Sequence, residues 1–531
     1  MKASFAIAFF MLTGLLAIPV AFAQKPARLP ENEVIYHVVQ RSFFDGNGDG
    51  HGDFKGLQSK LDYLQELGIT SILTLPIFES VYYHNYFSSN FEKIDPKFGT
   101  LDDWCRLIED LHRRNMKIYL DLEFQYVTED HIWYKDSYGK PKSPYDALMV
   151  YNKEGNLEPE PIIFNLTELM GYDSSKRRIT TINLKAPEAL TYFTKLLSFW
   201  ADPNGDGNLE DGVDGYRLDH MMDELDDKPK FNNLFTEFWK PLISNTKIKY
   251  PSLIFIAEQA NWANYGEDYF ARGGVDRVFA FNLRNAIAGF EKKKILAVAD
   301  TMFSRTPPGK QQVVFLENHD MIRFASAVQG NPGKARAAAA LQLLLGGIPS
   351  IYYGQELGMR GEGGFGKFGV SDGNDIPYRE AYEWYAADSG KGMALWYKNT
   401  GPWWTQTNLK PGDGISVEEQ DKDQNSLLNT YRNLLALRKK HPVLAGGRYL
   451  SCTNNHPQVI SFLRQTGPNT YLVLVNLSEF ESEVLTQLPK GLFLPAGNYA
   501  SIFGEGKAKL NKNQTVKFKM RAYGANAFRL R

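Results

Sequence analysis

Short runs of β-branched and aromatic residues alternate with longer segments of helical periodicity along most of this 531-residue chain. Eight of the short runs are predicted to be strands: residues 34–43, 71–78, 116–124, 212–219, 251–258, 275–281, 311–320 and 347–356. Parallel strands joined by helical crossovers have this pattern. Eight such units predict an α/β fold in which the strands close into a (β/α)8 barrel.

Two segments interrupt the alternation, and a third follows it. Residues 127–186 are too long for an ordinary connection and predict a small inserted subdomain after the third strand. Residues 358–414 form a second insertion after the eighth strand. Beyond residue 443 helical periodicity stops, and runs such as 459–462, 471–477 and 516–520 indicate antiparallel strands. We therefore predict a barrel over residues 24–126 and 187–443, an inserted subdomain over 127–186 and a C-terminal β-sandwich domain over 444–531.

The first 23 residues have the composition of a secretory signal peptide. Lys2 gives a positive start, residues 5–20 are almost wholly apolar, and Ala21-Phe22-Ala23 has the small-x-small form that precedes cleavage. A membrane anchor is the alternative, but the apolar run is shorter than the roughly 20 residues that span a bilayer. We expect no stable membrane insertion, a mature chain beginning at Gln24 and a secreted or periplasmic location.

Composition excludes several other classes of protein. Lys and Arg number 60 against 61 Asp and Glu, so no net positive charge attracts a phosphate backbone, and no nucleic-acid partner is expected. Hydrophobic residues are 43% of the chain, which excludes extensive disorder. The two cysteines, Cys105 and Cys452, are too few for a disulfide scaffold, and we expect them to be unpaired.

Three acidic residues stand where predicted strands end. Asp219 closes the fourth strand, Glu258 the fifth and Asp320 the seventh. Because a strand alternates faces at every residue, Arg217 and Asp219 point to the same side, and the guanidinium favours the ionised form of Asp219. Glu258 is expected to face another carboxylate in a partly desolvated pocket, so its pKa should be raised and it should keep its proton.

One ionised and one protonated carboxyl group are what the cleavage of a glycosidic bond requires. One group attacks the anomeric carbon while the other protonates the leaving oxygen. Asp219 is thus the candidate nucleophile and Glu258 the candidate acid/base. Asp320 is placed to bind sugar hydroxyls and to oppose the positive charge of the transition state. For any one of these residues alone a helix cap or an ordinary loop acid is the better explanation, but their coincidence at barrel strand ends favours catalysis.

Several longer motifs resemble the α-amylase family, glycoside hydrolase family 13. They are Gly215-Tyr216-Arg217-Leu218-Asp219, Ile256-Ala257-Glu258, Glu317-Asn318-His319-Asp320, Ile94-Asp95-Pro96-Lys97-Phe98-Gly99-Thr100 and Pro349-Ser350-Ile351-Tyr352-Tyr353-Gly354-Gln355-Glu356. The resemblance covers nearly all of the chain after residue 23. It implies a retaining mechanism on α-glucans, with Asp219 as nucleophile, Glu258 as acid/base and Asp320 as transition-state stabiliser. It also implies sugar binding by Arg217 and His319 in the −1 subsite, with Tyr86 as the aromatic platform beneath that sugar.

The first family motif, usually Asp-x-x-x-Asn-His at the end of the third strand, departs from its usual form here. Asp121 is kept and is assigned to substrate binding, but Gln125 replaces Asn and Tyr126 replaces His. In the family that His contacts the −1 sugar, and that Asn helps to hold a calcium ion beneath the inserted subdomain. Position 223, often another ligand there, is Asp. We predict a changed set of sugar contacts that includes Tyr126, with His131 as a candidate replacement for the missing imidazole; a solvated loop His is the alternative.

A loop after the first strand has the donor spacing of calcium loops. Residues 45–53 place oxygen donors at alternate positions with glycines between them. Similar barrel enzymes bind calcium in such a loop, which implies a structural Ca²⁺ held by Asp45, Asn47, Asp49, the His51 carbonyl and Asp53. The alternative is a plain Asx-turn loop. Residues 202–207 repeat the spacing and are a candidate site for a second ion.

Aromatic residues make up 13% of the chain, and several lie in or near the insertions. Sugar faces stack on aromatic rings, so these side chains favour an oligosaccharide cleft, while packing beneath loops is the alternative for each one. The candidates are Trp133, Tyr134, Trp262, Trp384, Trp403 and Trp404.

The sequence thus predicts a secreted enzyme that hydrolyses α-1,4-glucosidic bonds in malto-oligosaccharides or other α-glucans. A transglycosylase with the same carboxylates is one alternative, since the two activities differ in how well the acceptor side excludes water. A barrel that binds glucan or a protein without catalysis is another. Such a barrel is expected to lose carboxylates that are all present here.

Overall fold

The computed structural model describes residues 32–531, and its centre is a closed barrel of eight parallel strands. The strands are β1 (Ile35–Val38), β2 (Ser71–Thr74), β3 (Lys117–Leu122), β4 (Gly215–Met221), β5 (Ile254–Gln259), β6 (Arg277–Phe279), β7 (Gln311–Phe315) and β8 (Ile348–Tyr352). Each pairs with its neighbours in sequence, and β8 pairs with β1. The predicted (β/α)8 barrel is confirmed. The signal peptide predicted for residues 1–23 lies outside the described residues.

Helices cover the outside of the barrel. They are Phe54–Ser59, Leu61–Leu67, Leu101–Arg113, Pro187–Ala201, Lys240–Lys249, Phe281–Ala288, Lys292–Arg305, Phe324–Ala327, Pro332–Leu344 and Leu427–Lys440. Polar caps fix where several of them begin. Thr100 and Asp103 form a capping box, and the Asn331 side chain accepts a hydrogen bond from the Lys334 amide. None of the described helices is long and apolar enough to cross a membrane.

Alternation along the strands sorts side chains into two layers. Ile254 and Ile256 belong to the cluster inside the barrel, whereas Phe255 belongs to the core between strands and helices. Since the side-chain period is two, Glu258 continues the inward series of β5, and Asp121 continues the series of Tyr119 in β3. The fold itself therefore turns these carboxyl groups towards the barrel axis.

Two insertions lie at the carboxyl ends of the strands. The first contains a three-stranded antiparallel sheet and a two-stranded hairpin, built from Tyr126–Thr128, Tyr151–Lys153, Leu157–Pro159, Glu168–Met170 and Lys176–Thr181. The second insertion carries the short helical segments Asp372–Tyr378 and Pro402–Thr405. The two meet where the backbone of Met170 bridges that of Ser371. Together they surround the carboxyl-terminal end of the barrel strands, where barrel enzymes have their active sites.

An antiparallel sheet of nine strands follows the barrel, as predicted for the C-terminal part of the chain. Its strands are Arg448–Ser451, Thr453–Asn454, Val459–Thr466, Asn469–Asn476, Ser482–Gln487, Gly497–Phe503, Lys507–Leu510, Thr515–Met520 and Ala525–Arg529. The sheet encloses its own apolar cluster, which includes Leu472, Val484, Val516 and Phe528. Both cysteines are free, which confirms that prediction.

Candidate active site

One buried arginine joins the carboxyl ends of three strands. Nη1 of Arg217 in β4 donates to both carboxylate oxygens of Asp121 in β3, each at 2.9 Å, and also contacts the Asp219 carboxylate. Nη2 of the same guanidinium lies 2.8 Å from Oε2 of Glu258 in β5. The structure thus brings together Asp121, Arg217, Asp219 and Glu258. Because one guanidinium contacts both Asp219 and Glu258, these two carboxyl groups are close neighbours.

The environments of Asp219 and Glu258 separate their pKa values. Burial alone raises the pKa of Asp219, but the charge of Arg217 and a hydrogen bond from Glu123 outweigh burial, and the pKa is lowered. For Glu258, burial and the charges of Asp219 and Asp320 outweigh Arg217, and the pKa rises to about 7. At neutral pH the site therefore holds a carboxylate at Asp219 beside a carboxyl group that keeps much of its proton.

Asp320 follows β7 and is held by two cationic or polar partners. His319 Nε2 lies 2.9 Å from its Oδ2, and Nη2 of Arg379 lies 3.0 Å from its Oδ1. Burial raises the pKa of Asp320, but His319 and Arg379 outweigh burial, so the pKa is lowered. Its side chain is 36% exposed, at the cavity wall. Asp320 is therefore an ionised carboxylate that a ligand can reach.

Tyr86 connects the two halves of this cluster. Its hydroxyl donates to Asp121 Oδ2 at 2.7 Å and lies 2.8 Å from His319 Nε2. Its ring stacks on that of His319 with centroids 5.2 Å apart. Tyr86 and His319 line the cavity, whereas Asp121 is completely buried beneath it and holds Tyr86 and Arg217 in place.

A cavity of about 470 Å³ opens above the cluster. The barrel contributes Tyr86, Asp219, Glu258, His319 and Asp320 to its wall. The insertions contribute apolar side chains, among them Phe164 and Phe365, whose rings lie 6.0 Å apart between centroids. Both rings are about three-quarters exposed, at 74% and 76%. Exposed aromatic faces beside carboxylates suit a sugar ligand, which has apolar C–H patches and many hydroxyls.

Of the aromatic residues proposed for a sugar cleft, Trp262 lines this cavity. Its ring stacks on Phe281 at 4.8 Å. Trp133, Tyr134, Trp384 and Trp403 are buried away from the cavity, so the packing alternative holds for them, and Trp404 packs against Tyr397. Sequence reasoning missed Phe164 and Phe365. Their position in the two insertions was the available signal.

Tyr126 lines the cavity, and its hydroxyl binds a residue of the loop after β4. The hydroxyl donates to Asp226 Oδ1 at 2.5 Å, in the loop after β4. His131 does not replace the missing imidazole, so that hypothesis is wrong. It caps the helix Ile132–Ser137 by accepting the Trp133 amide at 3.3 Å, and it lies outside the cavity wall.

Two further residues beyond the end of β3 make contacts that the sequence did not predict. Gln125 Nε2 donates to the backbone oxygens of Asp219 and His220, both at 2.8 Å, and so fastens β3 to the end of β4. Glu123 lines the cavity beside Asp219. Its spacing of two from Asp121, which places both on the inward face, was the signal for it.

The predicted calcium loop has the hydrogen bonds of consecutive Asx turns. Asp45 accepts the amides of Gly48 and Gly50 at 2.6 and 2.8 Å, and Asp49 accepts that of His51 at 2.9 Å. Asp53 caps the helix Phe54–Ser59. The oxygen donors of Asp45, Asn47, Asp49 and Asp53 suit a hard cation by their chemistry. Within residues 32–531, however, no three acidic, His or Cys side chains converge as a metal cluster. Calcium stays a prediction, and no catalytic step depends on it.

The second such loop is held in a similar way. Asp202 Oδ2 accepts the Gly207 amide at 3.0 Å and the Tyr250 hydroxyl at 2.8 Å, and Asn204 Oδ1 accepts the Asp206 amide at 2.9 Å. A second ion in this loop stays a prediction. Asp223, at the other position where the family often has a ligand, pairs with Arg272 and accepts the Phe235 amide at 2.8 Å.

A larger cavity, of about 700 Å³, lies between the barrel and the C-terminal sheet. Gln311 and Ile348, the first residues of β7 and β8, line it together with Arg464 of the sheet. It is therefore at the amino-terminal end of the barrel strands, whereas barrel enzymes keep their active sites at the carboxyl end. The smaller cavity is the candidate active site, because the converging carboxyl groups line it.

Comparison with known proteins agrees with this geometry. A family model of the α-amylase catalytic domain matches residues 37–447. The chain is 29% identical over 459 residues to alpha-amylase 3 of Dictyoglomus thermophilum, which covers 85% of this chain and 86% of that protein. It is 28% identical over 515 residues to a trehalose synthase/amylase of Mycobacterium tuberculosis, covering 86% and 83%. A solved α-amylase from H. orenii superposes with a TM-score of 0.77 at 26% identity, covering 94% of this chain and 100% of that one. The chain therefore belongs to the α-amylase family, glycoside hydrolase family 13, and is a glycoside hydrolase.

Proposed function

We propose that the protein hydrolyses α-1,4-glucosidic bonds in starch-derived malto-oligosaccharides with retention of anomeric configuration. The observation that carries this proposal is the Arg217 guanidinium, which contacts Asp219 and Glu258 at once while their pKa values move apart. Two closely spaced carboxyl groups, about 5 to 5.5 Å apart in retaining enzymes, act as nucleophile and acid/base.

The proposed reaction has two steps. Asp219 attacks the anomeric carbon while Glu258 gives its proton to the glycosidic oxygen, so the glycosidic bond breaks and an ester to Asp219 forms. Glu258, now a carboxylate, then takes a proton from water as that water displaces Asp219. Asp320 opposes the positive charge of each transition state, and Tyr86 supports the sugar. Two inversions at the same carbon give net retention.

Transfer to a sugar acceptor is the second candidate activity, and the similarity to a protein named trehalose synthase/amylase favours including it. Hydrolysis and transfer share the ester on Asp219 and differ in whether water or a sugar hydroxyl attacks it. The exposed Phe164 and Phe365 rings line the cavity and offer apolar faces on which an acceptor sugar can stack, which supports this candidate.

A digest of maltoheptaose tests both candidates. We expect shorter malto-oligosaccharides whose new reducing ends first appear as the α-anomer in proton NMR spectra. Products longer than maltoheptaose at high substrate concentration would assign transfer instead. First appearance of the β-anomer would contradict retention, and no cleavage of any α-glucan would revive the non-catalytic alternative.

We also propose secretion to the periplasm or medium, supported by the composition of residues 1–23. Cell fractionation with N-terminal sequencing tests it, and a chain beginning at Gln24 outside the cytoplasm is the expected result.

Calcium in the loop of Asp45 and Asp53 is a further proposal. If the ion binds only the folded protein, chelator lowers the melting temperature and calcium restores it. An unchanged melting curve in excess chelator would leave the loop as a plain turn.

A further inference from the structure

A carboxyl group that the proposed reaction does not use lies beside the candidate nucleophile. Glu123 follows Asp121 by two residues and lies just beyond β3, in line with the inward series of that strand. Its side chain is among the cavity wall residues, although the residue is only 3% exposed. A carboxyl group buried to this extent needs hydrogen-bond partners, because burying a polar group without them costs about 2 to 7 kcal/mol of folding free energy.

Glu123 has a hydrogen-bond partner on its own segment and a carboxyl neighbour on β4. Its Oε1 accepts the Gln125 amide at 2.6 Å, which fixes the side chain against the backbone that follows β3. On β4, Arg217 is paired with Asp121 and Leu218 with Leu122, so Glu123 stands beside Asp219 on the neighbouring strand, and both line the cavity. The Gln125 side chain strengthens the same connection, since it donates to the backbone oxygens of Asp219 and His220.

Two carboxyl groups form a hydrogen bond only when one of them carries a proton. The charges nearby decide which one. Arg217 contacts Asp219, whereas Glu123 makes no ion pair with any residue of the described chain. Burial and the neighbouring charge of Asp219 raise the pKa of Glu123 well above its usual range. The proton therefore resides on Glu123, and Asp219 is the acceptor.

We propose that Glu123 is a positioning residue: its protonated carboxyl group donates a hydrogen bond to Asp219, which keeps the nucleophile ionised and fixed towards the anomeric carbon. This inference rests on the proposed role of Asp219. The proton stays on Glu123 through both steps of the reaction. The hydrogen bond is strongest while Asp219 is a free carboxylate, before attack and again as the ester is cleaved.

Other charged or titratable groups face this pair from several elements. Those around Glu123 and Asp219 are Arg217 and His220 of β4, Asp226 and Tyr126 from the adjoining loops, and Asp320 after β7. The contact of Arg217 with Asp219 does not involve Glu123. Loss of the Glu123 donor therefore removes one of the influences that lower the pKa of Asp219, beside those of Arg217 and His220, and that pKa should rise.

The test compares Glu123→Gln, which keeps a donor but has no proton to lose, with Glu123→Met, which removes the donor at similar length. A hydrogen bond to a charged group corresponds to a shift of about one to two pH units. We expect the acidic limb of the kcat/KM profile on maltotriose to move up by that amount in Glu123→Met. At a pH below the limb, kcat/KM should fall about ten- to a hundredfold. Glu123→Gln should keep the acidic limb of the wild type.

An unchanged acidic limb in folded Glu123→Met would overturn the proposal, as would an equal shift in both variants. Infrared difference spectra between wild type and Glu123→Gln provide a second measurement if Glu123→Met does not fold. At alkaline pH, where Glu258 has lost its proton, the wild type should show one more protonated-carboxyl band than Glu123→Gln. No difference would contradict a proton on Glu123. Failure of the proposed function can be told apart from failure of this inference. If the proposed function is wrong, the wild type itself forms no ester on Asp219.

Discussion

Two buried arginines, one at each end of the barrel, show how the same side chain serves structure in one place and chemistry in another. At the amino-terminal end, Arg277 of β6 donates to both oxygens of Glu33, at 3.1 and 2.7 Å, and its Nε donates to Gln311 at 3.1 Å. Tyr119 completes this group by donating to Glu33 at 2.6 Å. One cation and one anion are matched there, and Arg277 is completely buried.

At the carboxyl end, Arg217 faces three carboxyl groups, those of Asp121, Asp219 and Glu258. Its Nε has no hydrogen-bond partner among the described residues. One cation cannot satisfy three anions, so the pKa of Glu258 rises while that of Asp219 falls. The comparison indicates that excess negative charge around a buried cation, rather than the buried cation itself, marks the catalytic end of this barrel.

The largest expected effect is at the unbalanced end. Asp219→Asn keeps the shape of the side chain but removes the nucleophile, so kcat should fall by at least about 10,000-fold, on the order expected for a lost covalent nucleophile. Steady-state kinetics on maltotriose measure this, with circular dichroism and oligosaccharide binding as the controls for folding. Retention of a substantial fraction of the wild-type rate would show that another group attacks the sugar.

Glu258→Gln should lower kcat/KM by roughly 100- to 10,000-fold, the usual contribution of a general acid. The wild-type profile carries a second prediction. Because Glu258 must be protonated for the first step, kcat/KM should fall as pH rises through the pKa of about 7. This alkaline limb should be absent from the residual activity of Glu258→Gln. If Glu258→Gln kept the same alkaline limb, the general acid would be a different residue.

The matched control is at the balanced end. Arg277→Met leaves Glu33 buried without its cation, and breaking a buried pair in this way costs about 3 to 5 kcal/mol of unfolding free energy. Urea denaturation measures the loss, and kcat of the folded fraction should equal that of the wild type. The double variant Glu33→Gln with Arg277→Met should recover part of the stability. A large fall in kcat for folded Arg277→Met would break the distinction between the two ends.

The smallest expected effect is that of Tyr126→Phe. It removes the hydrogen bond from the Tyr126 hydroxyl to Asp226. Asp226 then has two remaining contacts, with His220 Nε2 at 3.3 Å and with Lys228 Nζ at 3.5 Å. Asp226 belongs to a loop with left-handed backbone at φ 56° beside the cavity residue His220, so its loosening should reach the site. We expect kcat/KM to fall roughly two- to tenfold, which corresponds to one hydrogen bond. Wild-type values for both Tyr126→Phe and Tyr126→Ala would show that the ring and the hydroxyl only pack.

Periodicity and strand alternation were sufficient to predict the barrel and the inward direction of its carboxyl groups. A period of two carries the inward face from Ile254 and Ile256 to Glu258, and it needs no tertiary information. The same rule applied to Asp121 also predicts the direction of Glu123. The pattern could not show that Glu123 is protonated, because its protonation depends on a tertiary contact, that of Arg217 with Asp219.

Contacts made by the insertions could not be predicted in this way. Tyr126 and His131 have no periodic pattern around them. The partner of Tyr126 is Asp226, 100 residues away, and the partner of His131 is the first turn of the helix that follows it. Phe164 and Phe365 meet because two separate insertions touch over the cavity. Residues of irregular segments are placed by tertiary contacts, so sequence spacing alone carries no information about where their side chains point.

Mass spectrometry of Glu258→Gln treated with α-maltosyl fluoride tests the central claim most directly. Fluoride leaves without a proton, so the first step proceeds without Glu258, while the second step lacks its base and the ester should accumulate. We predict a mass increase of one maltosyl group, located after proteolysis on the peptide that contains Asp219, and no increase when Asp219→Asn is added to Glu258→Gln. An ester on a different carboxyl group, such as Glu123, or no ester at all, would contradict the account.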